Sequence, residues 1–412
     1  MKRQVVSLGV GWFALQAIWT SYNAFMPLFY REFTTNLALI GLFMTFDNIA
    51  ALSLQPFWGA RSDLTRSRFG RRKPYILIGM PLAAVATLVL PFFANTTLIA
   101  LILAAVVMNI CMTVFRPALL SLFSDLFPKG SRTQVSGICD LMAGMGAIAA
   151  LLVGGELFDL NKILPFSMVS IFLLVAAVVI FFGIKEPPIP EGTGQNVAGD
   201  LPTSIPAAVR TLFRIPQKSP LLFMAGVFFT WTAWNGLESF WTTFATTSLD
   251  MTGGDAANFA AILALSYLVG AIPSGFAAAR FGRQRTILTG LMLLGPLYLV
   301  GAFNRSITVY AVLLGVIGFI WALVLVNGVI MFQEFSSPRQ IGLFSGIYGI
   351  GTAIAQILGP PSYGALMNMF GAQALWFTGF VAVLLGAFFV SRAREGRVIV
   401  PDERMPRTAT AD

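Results

Sequence analysis

The chain has 412 residues, of which 57% are hydrophobic and only 11% charged, against roughly 45–50% and 25% in soluble domains. A mean hydropathy of +0.78 excludes a soluble globular protein. The absence of His leaves no metal-ligand cluster or nucleophile arrangement, so neither an enzyme nor a metal or cofactor site is expected.

A bilayer core about 30 Å thick needs about 20 apolar residues per helix. About twelve such runs follow one another, near residues 5–30, 36–60, 74–94, 98–124, 134–157, 164–184, 220–246, 256–279, 286–303, 307–334, 341–366 and 372–391. They are too long for outer-membrane strands. The first follows Lys2 and Arg3, exceeds a secretory apolar region in length and lacks a small-residue cleavage site, so it reads as a retained helix. Cys111 and Cys139 fall inside spans and read as small apolar fillers.

Between Lys185 and Pro220 the apolar runs stop and Pro187, Pro188, Pro190, Gly192 and Gly194 accumulate. The expected organisation is an amino-terminal six-helix bundle over 1–184, a cytoplasmic linker over 185–219, a carboxy-terminal six-helix bundle over 220–392 and a basic tail over 393–412. Within the linker, Ala207 to Arg214 reads as a short helix lying at the membrane surface. With the amino terminus inside, every Lys and Arg except Arg31, Arg116, Lys162 and Arg305 falls on the cytoplasmic side. That placement accounts for the net charge of +9 without a nucleic-acid partner, and it puts both termini in the cytoplasm of a cell membrane (the inner one in a Gram-negative cell).

The two bundles read as copies. GARSDLTRSRFGRRK, Gly59 to Lys73, has a shortened echo in GFAAARFGRQR, Gly275 to Arg285. SDLFPKGSRTQVSGI near residues 124–138 resembles QEFSSPRQIGLFSGI near 333–347, with Asp125 as far before Ser136 as Glu334 is before Ser345. Matching loops after the second and fourth helices of each half imply parallel repeats about an axis along the membrane normal, an architecture of transporters. Glycines in the fifth and eleventh helices, among them Gly146, Gly155, Gly349 and Gly351, permit close helix packing.

Ionisable groups inside spans are functional candidates by default. Asp47, Arg116, Asp140 and Glu238 lie at appreciable depth, and three acids against one base imply a site that takes up a proton. Asp47 is the first candidate carrier, Glu238 the second and Asp140 the third, with Arg116 as the charge that resets it. The alternatives are a structural Asp47–Arg116 ion pair, a structural Asp140 near Arg116, and a Glu238 facing the outer vestibule. The missing His excludes a His proton relay.

Polar and aromatic groups recur at helical spacing: Trp12, Gln16, Trp19 and Asn23 in the first helix, Trp231, Trp234, Asn235, Glu238 and Trp241 in the seventh. Asn109, Thr113 and Arg116 in the fourth helix and Tyr348, Thr352 and Gln356 in the eleventh repeat the pattern. Such faces would go unsatisfied against lipid and are expected to line a central cavity. Rings beside amides and carboxylates suit a sugar. Trp12 and Trp241 fit an interfacial aromatic belt equally well.

At these residues the chain resembles the major facilitator superfamily, through Gly59, Asp63, Gly70, Arg71, Arg72 and Lys73. The longer variant TRSRFGRRKPYILIG, Thr65 to Gly79, is similar to the glycoside-pentoside-hexuronide:cation symporters and the sucrose transporters. Lys185-Glu186-Pro187, Arg116-Pro117 and QILGPP at Gln356 to Pro361 fit the same group. The resemblance implies two six-helix bundles, an all-α membrane fold and alternating access. It also implies that Asp63 and the arginines, with Gly275 and Arg283 in the second copy, form a cytoplasmic gating motif bridging the halves when the site opens outward. Three departures stand out. Leu64 replaces the cation that usually follows the Asp, Gln55 and Ala51 stand where related symporters carry sodium-binding acids, and Ala105 occupies the helix-4 acid position of plant sucrose transporters.

The resulting expectation is proton-coupled symport of a sugar or glycoside, with a proton rather than sodium as the coupling ion. The substrate candidates are Gln16, Trp19, Asn23, Asn109, Trp231, Trp234, Asn235, Tyr348 and Gln356. The alternatives are transport of a lysolipid or other amphipathic solute, and a receptor that transports nothing.

Overall fold

The computed structural model describes residues 2–128, 131–186, 218–336 and 341–393. Among the described residues, twelve helices follow in chain order. In the first half these are α1 (Lys2–Arg31), α2 (Leu37–Leu64, in two segments), α3 (Lys73–Val89, prolonged by a 3-10 turn at Leu90–Asn95), α4 (Leu98–Leu126), α5 (Arg132–Leu160) and α6 (Leu164–Gly183). The second half contains α7 (Ser219–Ser248), α8 (Gly253–Phe281), α9 (Arg283–Phe303), α10 (Ile307–Glu334), α11 (Ile341–Phe370) and α12 (Ala374–Arg392). Each lies within a few residues of its expected run. The expected surface helix at Ala207 to Arg214, most of the linker and the tail beyond Ala393 lie outside the described residues.

Ten of these helices are long and apolar enough to cross a membrane. The other two, α1 and α7, are 30 residues each and fall short in apolarity because they carry the polar and aromatic faces noted above. Large apolar side chains remain exposed on the outward faces of α3, α4, α6 and α9, including Ile78, Val85, Ile99, Leu103, Ile171 and Met292. In water such a surface would be a liability; against lipid tails it is the ordinary condition of a spanning helix.

Within each half the ends of the helices are fastened on the side that carries the termini. In the first half Arg71 donates to Asp125 at 2.5 Å, Arg72 reaches Asp125 at 3.1 Å and also pairs with Asp63. In the second half Arg283 donates to Glu334 at 2.5 Å. The same loop therefore holds the same acid in both copies, as the repeated Asp125 and Glu334 spacing implied.

Between the halves, by contrast, the hydrogen bonds among the described residues lie in the midplane or at the opposite end. Asn23 reaches Glu238 at 3.3 Å, Arg31 donates to Thr246 at 3.2 Å, and Asn368 accepts from the Leu37 amide at 2.9 Å. Asp159 at the end of α5 accepts from the Gly254 amide at 2.8 Å and from the Thr252 hydroxyl at 2.6 Å, which caps the start of α8 from across the interface. α2 and α11 approach so closely there that a Cβ on Gly364 would collide with the Leu37 carbonyl, and one on Gly41 with that of Pro360. Toward the terminal side the same helices diverge: Gly137 of α5, Gly275 of α8 and Gly342 and Gly349 of α11 have no neighbour within 4 Å of where a Cβ would stand.

The seal depends on the missing side chain at 364. Gly364→Val introduces overpacking of about 1–3 kcal/mol only in the state with this end closed, which shifts a two-state population about five- to 150-fold. Spin labels at Asn36 and Asn368 are expected to report a longer distance in the variant; an unchanged distance distribution would refute the assignment of this contact as the closed gate.

Candidate functional site

The site is organised by a break in α2. The helix runs over Leu37–Met44 and resumes over Phe46–Leu64. Thr45 closes a tighter turn between them, its amide and its hydroxyl both donating to the Leu42 carbonyl, at 3.1 and 2.7 Å. Asp47 thus stands in the first turn of a new helical segment, at the positive end of its dipole. Its Oδ1 accepts from the Asn48 amide at 2.6 Å and from the Asn48 side chain at 2.8 Å, and the residue is 4% exposed. The apolar run gave no signal of this break.

Asp47 lies within electrostatic reach of Arg116 of α4 and Glu238 of α7. The alternative of a structural ion pair is not met: no Arg116 nitrogen stands within 4.0 Å of the carboxylate, and the guanidinium lies over the Trp19 ring at 5.2 Å from its centroid. Trp19 is therefore a support for Arg116. Tyr22 and Tyr30 of α1 face the same carboxylate electrostatically, and Asn109 of α4 reaches the Tyr22 hydroxyl at 3.5 Å. The tyrosines carried no polar periodicity of their own and were missed by the sequence reading.

The second half supplies the other wall. Glu238 accepts from Asn23 and has Trp234, one turn earlier, against its carboxylate. Trp234 is flanked by Tyr267 of α8 at 5.7 Å and Trp321 of α10 at 5.6 Å between ring centroids. Trp231 donates to the Tyr348 hydroxyl at 3.2 Å. Asn235 donates back to the Trp231 carbonyl at 2.7 Å, which uses one of its two amide hydrogens within its own helix. Gln16 reaches Thr20 at 3.4 Å. Gln356 is half-buried, two turns along α11 from Tyr348.

Two expectations are corrected. Asp140 does not meet Arg116; it is exposed, accepts from Ser136 at 3.0 Å and faces Tyr267 across the interface between α5 and α8. Trp241 is neither a belt residue nor a cavity platform. It is 2% exposed, donates to the Ala256 carbonyl at 2.8 Å and packs with Phe259, Tyr310 and Trp376 in the core of the second half.

Among the described residues, the loop after α2 acts inside its own half. Gly70 has φ +108°, open to glycine and strained for other residues. The turn it makes aims the amides of Arg71, Arg72 and Lys73 at the Glu186 carboxylate, at 2.7, 3.1 and 2.6 Å. Arg72 also donates to Ser62 at 2.5 Å, and Lys73 to the Phe181 carbonyl at 3.0 Å. Gly59 and Gly275 make no close approach to the other half. Among the described residues, Asp63, Arg71 and Arg72 make none of the expected contacts with the second half.

Two outcomes follow. If Asp47 and Arg116 act on each other through space, a double-mutant cycle with Asp47→Asn and Arg116→Met will show a coupling of about 0.5–3 kcal/mol in detergent unfolding; additive effects would show that the two charges are independent. Glu186→Ala leaves three loop amides without their acceptor, a loss of about 1–3 kcal/mol, seen as a lower melting temperature of the first half; an unchanged one would leave the carboxylate without a structural role.

The Major Facilitator Superfamily model matches residues 8–262 and 223–410. Among curated relatives, the isoprimeverose transporter of Lactiplantibacillus pentosus is 24% identical over 390 residues, covering 82% of this chain and 77% of that protein. The human proton-associated sugar transporter A is 28% identical over 249 residues, 49% of this chain; the match spans about a third of that longer protein, 33%. A bacterial homologue of the human lysosomal transporter Spinster, solved in an inward-facing, unoccupied conformation, superposes with a TM-score of 0.76 at 17% identity, covering 95% of this chain and 96% of that one. The Escherichia coli fucose:proton symporter superposes with a TM-score of 0.61 at 15% identity over 95% of this chain and 98% of its own. With two six-helix halves, a polar site at their interface and a family model spanning nearly its whole length, the chain belongs to the Major Facilitator Superfamily and is a multi-pass membrane protein.

Proposed function

We propose that the protein carries a sugar or glycoside across the cell membrane in symport with a proton, by alternating access. The observation that carries this reading is the buried Asp47, held at a helix start within electrostatic reach of Arg116 but not paired with it. A carboxylate in that setting can accept a proton without leaving an ion pair broken, and Arg116 is near enough to expel it again. The missing acids at Ala51 and Gln55 speak for a proton over sodium. The rings and amides of Trp19, Asn23, Asn109, Trp231 and Asn235 suit a polyol, and the sugar-transporting relatives support that class.

Alternating access is supported by the asymmetry between the ends. One end is closed by bonds between the halves, while at the other the side-chain bonds among the described residues lie within each half. The bias of Lys and Arg toward the terminal side supports a cytoplasmic position for that side, and with it an inward-opening reading of the described state. Protonation of Asp47 and solute binding together would then bias the two states, each by as much as its preference for one of them.

Proteoliposomes test this directly. A gradient acidic outside is expected to drive concentrative uptake of the sugar, abolished by a protonophore and unaffected by sodium. Asp47→Asn should reduce concentrative uptake at least tenfold while preserving counterflow exchange. Uptake that requires sodium and survives the protonophore would overturn proton coupling, and transport of lysolipids in place of sugars would overturn the substrate class.

A further inference from the structure

The two halves build the same wall from equivalent helices and fill it differently. In the first half an aromatic face already holds an internal cation: Arg116 lies over Trp19 beside Asp47. In the second half Trp234 stands beside Glu238, but no cation accompanies them. α7, α10 and α11 contain no Lys or Arg, and those of α8, α9 and α12 are Arg280, Arg283, Arg285 and Arg392, all at helix ends on the terminal side. Glu238 is hydrogen-bonded by the neutral Asn23 amide, its other charged neighbour of note is the like-charged Asp47, and no ion pair reaches it among the described residues.

A carboxylate at this depth is stabilised by a counter-charge. The rings around it favour an organic one. Tyr267 and Trp321 are inclined to Trp234 at 44° and 76°, so that faces and edges meet around the indole, and an ammonium over such a face is attracted by the ring quadrupole. The exposed Asp140 faces Tyr267 from the other half and adds a second negative charge on the open side, where no arginine opposes it.

We propose that the substrate is a sugar bearing a protonated amine, and that its ammonium docks on Glu238 against Trp234 and Tyr267, supplying the cation that the second half lacks. This rests on reading the cavity as a sugar site. Glu238 is then a specificity-determining residue, while Asp47 with its internal Arg116 keeps the proton.

Matched solutes separate the two ideas. Calorimetric binding to the full chain in nanodiscs would compare glucosamine, N-acetylglucosamine and glucose, and the same trio built on a disaccharide. The amine is expected to bind at least tenfold more tightly than both neutral forms, and the gap should fall below threefold in Glu238→Gln and in Trp234→Leu. Equal binding of amine and neutral forms overturns the inference and leaves the sugar reading standing, and this comparison needs only the natural chain. A gap that survives both substitutions overturns the placement at Glu238. Binding of no member of either trio overturns the sugar reading and this inference with it.

Discussion

One guanidinium stands at depth in the spans against three carboxylates, and most of the site's geometry follows from that imbalance. A charge far from water is tolerated when it is paired, hydrogen-bonded or neutralised. Arg116 cannot satisfy Asp47, Glu238 and Asp140 together, and it forms an ion pair with none of them. Each carboxylate finds a different solution. Asp47 uses a helix start and the Asn48 amides, Glu238 uses an amide from the opposite half, and Asp140 uses a hydroxyl one turn away and solvent. Arg116 in turn spreads its charge over the Trp19 ring. A fully paired site would be rigid and inert; this one retains charges that a proton or a solute can still complete.

The peripheral charges obey the opposite logic. On the terminal side Arg71, Arg72, Asp63, Asp125 and Glu186 are closely bonded to one another, tying α2, α3, α4 and α6 into one body. Arg283 and Glu334 do the same for α8 to α10, with Asn327 linking Arg283 to Ser274. Two bodies stiffened in this way can move against each other without unfolding locally. Across the interface the described residues make no ion pair: the contacts are glycine approaches and hydrogen bonds in which at most one partner is charged, such as Arg31 to Thr246 and the Gly254 amide to Asp159. Each such hydrogen bond is a net contribution of about 0.5–3 kcal/mol.

The spans were legible because each one is an unbroken apolar run, and the duplication was legible because the short loops are constrained by the ion pairs they make. Asp125 and Glu334 could be placed by spacing alone. The site was legible only in part. Helical periodicity gathered Trp19, Asn23, Arg116, Trp234 and Glu238 on inward faces, but it cannot say which face meets which. Tyr22, Tyr267 and Trp321 were hidden because a single ring in an apolar helix looks like core, whereas Trp241 falls in the polar periodicity of α7, which suits a cavity or belt residue, and yet lies in the core of the second half. The break at Thr45 arises from side-chain competition for backbone groups, which leaves hydropathy unchanged. Glu186 acts across more than a hundred residues on the Gly70 turn, a partnership that only the tertiary structure reveals.

Glu238 belongs to two sets of contacts at once. Its bond to Asn23 is one of the links that hold the halves together, and its carboxylate also faces the aromatic wall where a solute would lie. At 3.3 Å to a neutral amide that link is weak, so a ligand bonding to the same carboxylate competes with closure in this geometry unless it can bridge both residues. A solute with a donor for Glu238 and an acceptor for Asn23 would replace the direct bond with a longer one through itself. Binding would then carry differential free energy between the two states, the condition for a ligand to move such an equilibrium at all. Asp47, within electrostatic reach of Glu238, would feel a charge that settled there, and on the proposed reading the occupancy of the site and the protonation of its other carboxylate would be linked through space without any intervening mechanical part.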